Sequence, residues 1–322
     1  MASIAKIVVT ASALAMMNTG VVADEYPSRP IRIITPMAAG GSSDSAARLI
    51  TDALGRQLGQ SVVIENRGGA GGVIGTETAA RAQADGYTLV VSMASTFSII
   101  PAVKKASYDP MKDFVPLGQI WSAPLALVVR SRSNLKTVAD LVAYAKANPG
   151  KLTFGSAGNG TTTHLSILLL SQEAGINVIH IPYKSSGPSV IDVLGGQIDA
   201  IFGSIPTLAP HVQSGKLTAL AVTAPQRSPL LPNAPTMAEA GLPGVKIINW
   251  FGLHALAGTP SEVLDRLKSA VRAAQLDPAY HASLAKIAMT TGTVGAERFA
   301  EMIQEDAQRL APIVRSSGIS FN

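Results

Sequence analysis

The chain has 322 residues, 47% of them hydrophobic and 15% charged, with a formal net charge of +5. At ~150 residues per domain this is enough for two packed domains, and it excludes an intrinsically disordered chain. There is no cysteine, which excludes disulfide staples, a thiol nucleophile and lipid attachment through an N-terminal cysteine.

At the N-terminus, Lys6 precedes the apolar run Ile7 to Met17, and Val21-Val22-Ala23 places short residues before Asp24. Residues 1–23 read as a secretory signal peptide cleaved after Ala23. Asn18, Thr19 and Gly20 interrupt the run before the roughly 20 apolar residues of a membrane span accumulate, and no later stretch reaches that length. Cleavage removes Lys6, and the remaining basic residues are scattered. They give a weak bias toward anionic ligands and no stripe for nucleic acid.

The next elements alternate strand, glycine loop and helix. Ile31 to Thr35 is a β-type run, "PMAAGGSSD" a loop, and Ala46, Leu49, Ile50, Ala53, Leu54 and Leu58 recur at helical spacing. "SVVIEN" is then a strand, "RGGAGGVIG" a loop, Thr76 to Ala84 a helix and "GYTLVVSM" a third strand. "PLALVVR" (Pro124 to Arg130) is a strand, and "TVADLVAYAKANPG" a helix with Thr137 as N-cap and Pro149-Gly150 as its stop. "KLTFGS", "VIHIPY", "IDAIFG" and "LTALAVT" continue the strands. "TPSEVLDRLKSAVRAA" reads as a helix opened by a capping box of Thr259, Pro260 and Glu262. This order predicts two α/β units with ligand sites beyond the carboxyl ends of parallel strands. Two strand-like crossings, near Leu125 to Arg130 and near Ile248 to Ala255, would join the lobes across a cleft. Lobe 1 is then 24–125 with 250–322, and lobe 2 is 126–249.

Enzyme signatures are absent. There is no G-x-S-x-G, H-E-x-x-H or P-loop, and Ile74 breaks G-x-G-x-x-G in the run Gly68 to Gly75. His164, His180, His211, His254 and His281 lack metal-ligand spacing. The chemistry left is that of loops. A strand followed by Gly, Ala and Ser and then a helix offers unpaired N–H groups at the positive end of the helix dipole, which suits an anion. Both "MAAGGSSD" and "SAGNGTTTH" have this form, with Ser43, Ser156, Thr161 and Thr162 as extra donors. The alternative is that Asp44 and Thr161 cap their helices and the glycines serve tight turns.

"YPSRPIRIITPMAAGGSSDSAARL", "VVIENRGGAGGVIGTE", "ADGYTL", "YDPMKDFVPLG", "LTFGSAGNGTTTHLS", "IPYKSSGPSVIDVLGGQIDAIFGSIPTLAPHVQSGKLTALAVT" and "PNAPTMAEAGLPG" follow one another along the chain. In this order they resemble the periplasmic substrate-binding receptors of tripartite tricarboxylate transporters, the Bug receptors, over essentially the whole mature length. The resemblance implies a type II periplasmic binding protein of two α/β lobes that closes on an organic carboxylate and passes it to membrane permease subunits. It implies a periplasmic monomer with no catalysis, no cofactor, no metal and no nucleic-acid partner.

The resemblance also implies where the ligand sits. Its carboxylate would meet Met37, Ala38, Ala39, Gly40, Gly41, Ser42 and Ser43 in one lobe and Ser156, Ala157, Gly158, Thr161 and Thr162 in the other. Ser95, Thr96, Phe97, His164, Tyr183 and Ser204 are further candidates on the cleft side; Lys184 reads as a ligand contact or a solvated surface charge, and Trp250 as a ligand contact or part of the hinge core. Phe202-Gly203-Ser204 stands where many members carry an acidic F-D-N, which disfavours amino-acid ligands. Gly68 and Val73 stand where proline and asparagine are common. Di- or tricarboxylates and aromatic carboxylates such as terephthalate remain open, with Phe97 and Met37 leaning toward the aromatic. Two other readings use the same residues: a ligand-binding partner of a two-component sensor, and a secreted hydrolase using a hydroxyl of "TTTH" with His164 as base.

Overall fold

The computed structural model describes residues 26–39, 42–103, 106–287 and 289–316. The expected signal peptide and Gly40-Gly41 lie outside the described residues. In chain order the elements are β1 (Ile31–Thr35), α1 (Ser42–Leu58), β2 (Val62–Asn66), α2 (Val73–Ala80), β3 (Thr88–Met93), α3 (Ile100–Val103), β4 (Phe114–Arg130), α4 (Val138–Ala147), β5 (Thr153–Ser156), α5 (Thr162–Ala174) and β6 (Ile179–Pro182). They continue with α6 (Ser186–Gly195), β7 (Ala200–Ser204), α7 (Ile205–Gln213), β8 (Leu217–Val222), β9 (Ile248–Leu256), α8 (Ser261–Gln275), α9 (Pro278–Lys286), β10 (Thr290–Thr291) and α10 (Ala296–Ser316). No helix among the described residues is long and apolar enough to cross a membrane.

The strands form two sheets that share β4. In the first sheet the order is β2-β1-β3-β9-β4, with β1, β2 and β3 parallel and β9 antiparallel to both neighbours. In the second, β8 and β7 flank the far half of β4, and β5 and β6 follow in parallel. β4 changes partners between adjacent residues: Pro124 pairs with Ile248 of β9, and Leu125 pairs with Ser204 of β7.

The crossing expected at Leu125 to Arg130 is therefore the second half of a 17-residue strand. The other expected crossing, β9, lies wholly in the first sheet, so the chain returns just before Ile248. Thr223 ties the two crossings together. Its N–H donates to Leu125 O (2.9 Å) and its hydroxyl accepts from Leu125 N (3.1 Å) and donates to Ile247 O (2.7 Å).

Helix α1 buries Ala46, Ile50, Ala53, Leu54 and Leu58 against the first sheet, as its spacing predicts. Helix α5 is buried almost all round, with Leu165, Ile167, Leu169 and Leu170 in the core. One core cluster runs from Ile34 and Val90 in the first sheet through Phe299 and Leu310 of α10 to Leu165 and Phe154 in the second. A separate cluster under α6 and α7 covers the other face of the second sheet.

Two local expectations are corrected. Helix α2 spans Val73–Ala80 rather than Thr76 to Ala84: Gly72 adopts φ 99° and turns the chain straight into the helix, and Arg81 leaves helical geometry as its C-cap. Helix α8 has Pro260 as its N-cap, and the Thr259 hydroxyl donates to Leu256 O (2.8 Å) instead of closing a capping box. The N-cap expected at Thr137 is formed, and Asp140 adds a reciprocal bond that makes it a capping box.

Candidate ligand-binding site

The loops following β1, β2, β3, β5, β6 and β7 all leave from the carboxyl ends of their strands. After β1, Pro36 is buried, Met37 half-buried, and Ala38 and Ala39 exposed. Asn66, the last residue of β2, holds this turn. Its amide donates to Thr35 Oγ1 (2.9 Å) and to Asp44 Oδ1 (2.8 Å), with Met37 O at 3.3 Å. Asp44 is buried in the first turn of α1 and also paired with Arg48, a favourable end of the helix for a carboxylate. Gly68 lies against the same turn, where a Cβ would come within 3.0 Å of Ala38 N. Ser42 and Ser43 begin α1.

The loop after β2 carries four successive residues with positive φ: Gly69 (129°), Ala70 (47°), Gly71 (65°) and Gly72 (99°). The Ser95 hydroxyl fastens it by donating to Gly71 O (3.2 Å). Thr96 and Phe97 are placed differently from expectation. Thr96 is fully buried, with its hydroxyl near Met93 O (3.5 Å). The Phe97 ring packs in the core with its centroid 5.2 Å from Phe114 and 4.4 Å from His254. Phe97 is thus occupied by other protein rings, because β3 passes directly into a π-helical turn that points it inward.

Across from these loops lies the turn between β5 and α5. Most of its polar groups serve one another. The N–H of Ala157 donates to Thr163 Oγ1 (2.9 Å), that of Gly158 to Ser156 Oγ (3.1 Å), that of Gly160 to His164 Nδ1 (3.2 Å) and that of Thr161 to Gly158 O (3.3 Å). Thr161 is the N-cap, and its hydroxyl accepts from His164 N and donates to Gly158 O (2.7 Å). The capping role foreseen for Thr161 is therefore filled, and its hydroxyl is committed to the turn. The N–H groups of Asn159, Thr162 and Thr163 and the hydroxyl of Thr162 have no partner among the described residues. They sit at the N-terminus of a 13-residue helix, where unpaired donors and the helix dipole favour an anion. The two lobes meet here: a Cβ on Gly71 would lie 3.3 Å from Asn159 O.

Beneath the turn, His164 and His180 stack with ring centroids 3.7 Å apart and planes 12° from parallel. His180 Nε2 is 2.6 Å from Ser156 Oγ. Burial lowers the pKa of His164 from 6.5 to about 3, helped by its neighbour, and burial lowers that of His180 to about 4. Both rings are neutral near pH 7, and His164 faces the turn and its partner ring.

The remaining candidates separate. The Tyr183 hydroxyl donates to Asp192 Oδ2 (2.6 Å), and burial, with the Asp192 carboxylate beside it, pushes its pKa up to about 12. Ser204 ends β7 and caps α7, half-buried. Lys184 is exposed. Trp250 is buried, donates from Nε1 to Asp306 Oδ2 (2.6 Å) and packs edge-on against Phe299, so it belongs to the hinge core. No cluster among the described residues could hold a metal. Sequence reasoning missed Asn66 and His180. Asn66 carries a signal only in its place at a strand end before a glycine loop. His180 carries none, since its partner is 16 residues away in sequence and next to it only in the fold.

Residues 46–319 match the Tripartite tricarboxylate transporter family receptor. The chain belongs to this family. The receptor is 37% identical to the protein BugT of Bordetella pertussis over 301 residues, covering 92% of this chain and 91% of BugT. It resembles the structure of an R. palustris protein solved with adipate at TM-score 0.85 and 32% identity, covering 92% and 99% of the two chains. With MatC from Rhodopseudomonas palustris, solved with bound malate, the TM-score is 0.82 at 31% identity, covering 90% and 100%. The receptor thus has the two-lobed type II periplasmic binding protein fold, and its relatives are binding proteins rather than enzymes.

Proposed function

We propose that the receptor captures an organic dicarboxylate between residues 37–43 and the turn at residues 156–162, and passes it to the permease subunits of a tripartite tricarboxylate transporter. The observation that carries this reading is the group of uncharged donors left open at the start of α5, on Asn159, Thr162 and Thr163, in a turn whose Asn159 carbonyl lies close to Gly71 of the first-lobe glycine loop. Hydrogen bonds to a charged acceptor contribute ~1.5–3 kcal/mol each, so such donors hold a carboxylate without a lysine or arginine. The adipate and malate found with its structural relatives are ligands of this class. An aliphatic chain is favoured over terephthalate because the Phe97 ring is engaged by Phe114 and His254.

The lobes are residues 24–125 with 250–322, and 126–249. The partner switch of β4 at Pro124/Leu125 and the return of the chain before Ile248 fall within two residues of these limits. The mature receptor is a periplasmic monomer released by cleavage after Ala23. Thermal unfolding of the chain from Asp24 onward, against adipate, malate, succinate, citrate, terephthalate and glutamate, tests the ligand class. An acid at about 100 times its Kd adds ~2.7 kcal/mol of stability. A shift with aliphatic dicarboxylates supports the proposal, a shift with terephthalate alone corrects the ligand, and no shift with any acid overturns it.

A further inference from the structure

The turn between β5 and α5 divides its N–H groups into those spent on the turn and those left open, and the division rests partly on two rings. Gly160 N–H ends on His164 Nδ1 (3.2 Å), and Gly158 N–H ends on Ser156 Oγ (3.1 Å), which is itself 2.6 Å from His180 Nε2. Each imidazole therefore steadies a different part of the turn, and the stack couples one ring to the other. His164 lies 2% exposed and His180 is half-buried.

We propose that His164 and His180 are positioning residues for ligand capture: the stacked pair holds the Ser156–Thr161 turn in the one arrangement that leaves the N–H groups of Asn159, Thr162 and Thr163 open to a carboxylate. This rests on the binding role proposed above for the turn.

The chemistry of the pair follows from its contacts. His164 Nδ1 accepts a hydrogen bond, so the proton of this neutral ring is on Nε2. A second proton, on Nδ1, would set donor against donor at Gly160 and place a cation against the His180 ring. Little nearby would compensate such a charge. β5 and β7 have no titratable side chain, and β6 has only His180. Glu173 of α5 accepts from Gly244 N–H (2.9 Å). On α6, Asp192 takes the Tyr183 hydroxyl. On α10, which packs on α5, Arg298 pairs with Glu301 and Glu305, Arg309 with Asp306, and Glu297 with Lys268; Arg315 also has a partner. The pair is built to work uncharged.

The test separates a hydrogen-bonding role from simple packing. In the mature receptor, His164→Phe keeps a ring in the stack and removes the acceptor, whereas His164→Asn keeps an acceptor near the Nδ1 position and removes the ring. Calorimetric titration with adipate and malate at pH 7 is expected to show at least a tenfold loss of affinity in His164→Phe and recovery to within about threefold of wild type in His164→Asn. His180→Phe, which keeps the stack and loses the Ser156 contact, is expected to behave like His164→Phe, with His180→Gln as its rescue. The reverse order, with the Phe variants retaining affinity and the Asn and Gln variants losing it, would show packing alone and overturn the proposal.

Amide hydrogen exchange in the unliganded receptor gives a readout that does not depend on the ligand. Gly160 N–H is expected to lose protection in His164→Phe and keep it in His164→Asn. If the wild type binds neither acid, the functional reading fails and exchange at Gly160 alone decides: unchanged protection in His164→Phe overturns the positioning role. Where a variant does not fold, as judged by loss of a cooperative melt, its His180 counterpart carries the same comparison.

Discussion

Thr162 combines a buried side chain with a hydroxyl that has no partner among the described residues, at the end of a helix where donors are open. Thr162→Val preserves the shape and removes the donor. It is expected to weaken adipate or malate binding by about 1–3 kcal/mol with little change in the unliganded melting temperature; equal affinity would remove Thr162 from the site. Asn66 is the opposite case, a residue whose amide nitrogen is engaged with Thr35, Met37 and Asp44. Asn66→Ala leaves the buried Asp44 short of a donor and is expected to lower stability by about 1–3 kcal/mol, read from denaturant unfolding.

Protonation gives a third residue-scale prediction. The folded-state pKa values of His164, His180 and His254 are lowered by burial to about 3, about 4 and about 3. The unfolded chain therefore binds protons more readily than the native state below pH 6.5. Stability is fully present above that value and falls as the pH drops toward 4. Melting temperatures measured from pH 7 to pH 4 should decline, and the decline should be shallower in His180→Gln.

At the scale of elements, caps and strand ends decide what can be read in advance. The N-cap at Thr137 was legible because its groups are local, while the reciprocal bond from Asp140 that completes a capping box came only from the structure. Thr137→Ala should lower stability by ~1 kcal/mol, measured by chemical denaturation. The apparent box at Thr259 failed because Pro260 took the cap position and left the threonine hydroxyl outside the helix.

The first half of β4 was not legible as a strand for a related reason. Pro116, Gly118 and Pro124 punctuate "FVPLGQIWSAP", and such residues normally end strands. The fold accommodates them with register shifts between Pro116 and Gly118 and between Gln119 and Trp121. The strand, glycine turn and helix start after β5 were visible from composition. Which donors remain open was not, because that depends on Thr163 and on two histidines brought together by the pairing of β5 with β6.

The whole molecule is two sheets on one strand, with a core that extends along α10 from the first lobe to the second. The contact between Gly71 and Asn159 leaves no room for an added methyl group without a shift of a few tenths of an ångström. Gly71→Ala places a Cβ 3.3 Å from Asn159 O and holds alanine at φ 65°, a conformation it disfavours by roughly 1–2 kcal/mol. The variant is expected to bind dicarboxylate at least tenfold more weakly and to show a larger radius of gyration by small-angle scattering in the presence of ligand. An unchanged profile would mean that the two loops do not meet on closure.

Because β4 passes from one sheet to the other without a break, and Thr223 pins both crossing segments at the switch, the lobes have no loose tether between them. Relative rotation must be absorbed as torsion along a hydrogen-bonded ribbon, much as a torsion bar absorbs load. Such a joint has a preferred angle and a restoring force. A strand that runs unbroken through the joint favours twisting over melting as the way for the two sheets to turn relative to one another.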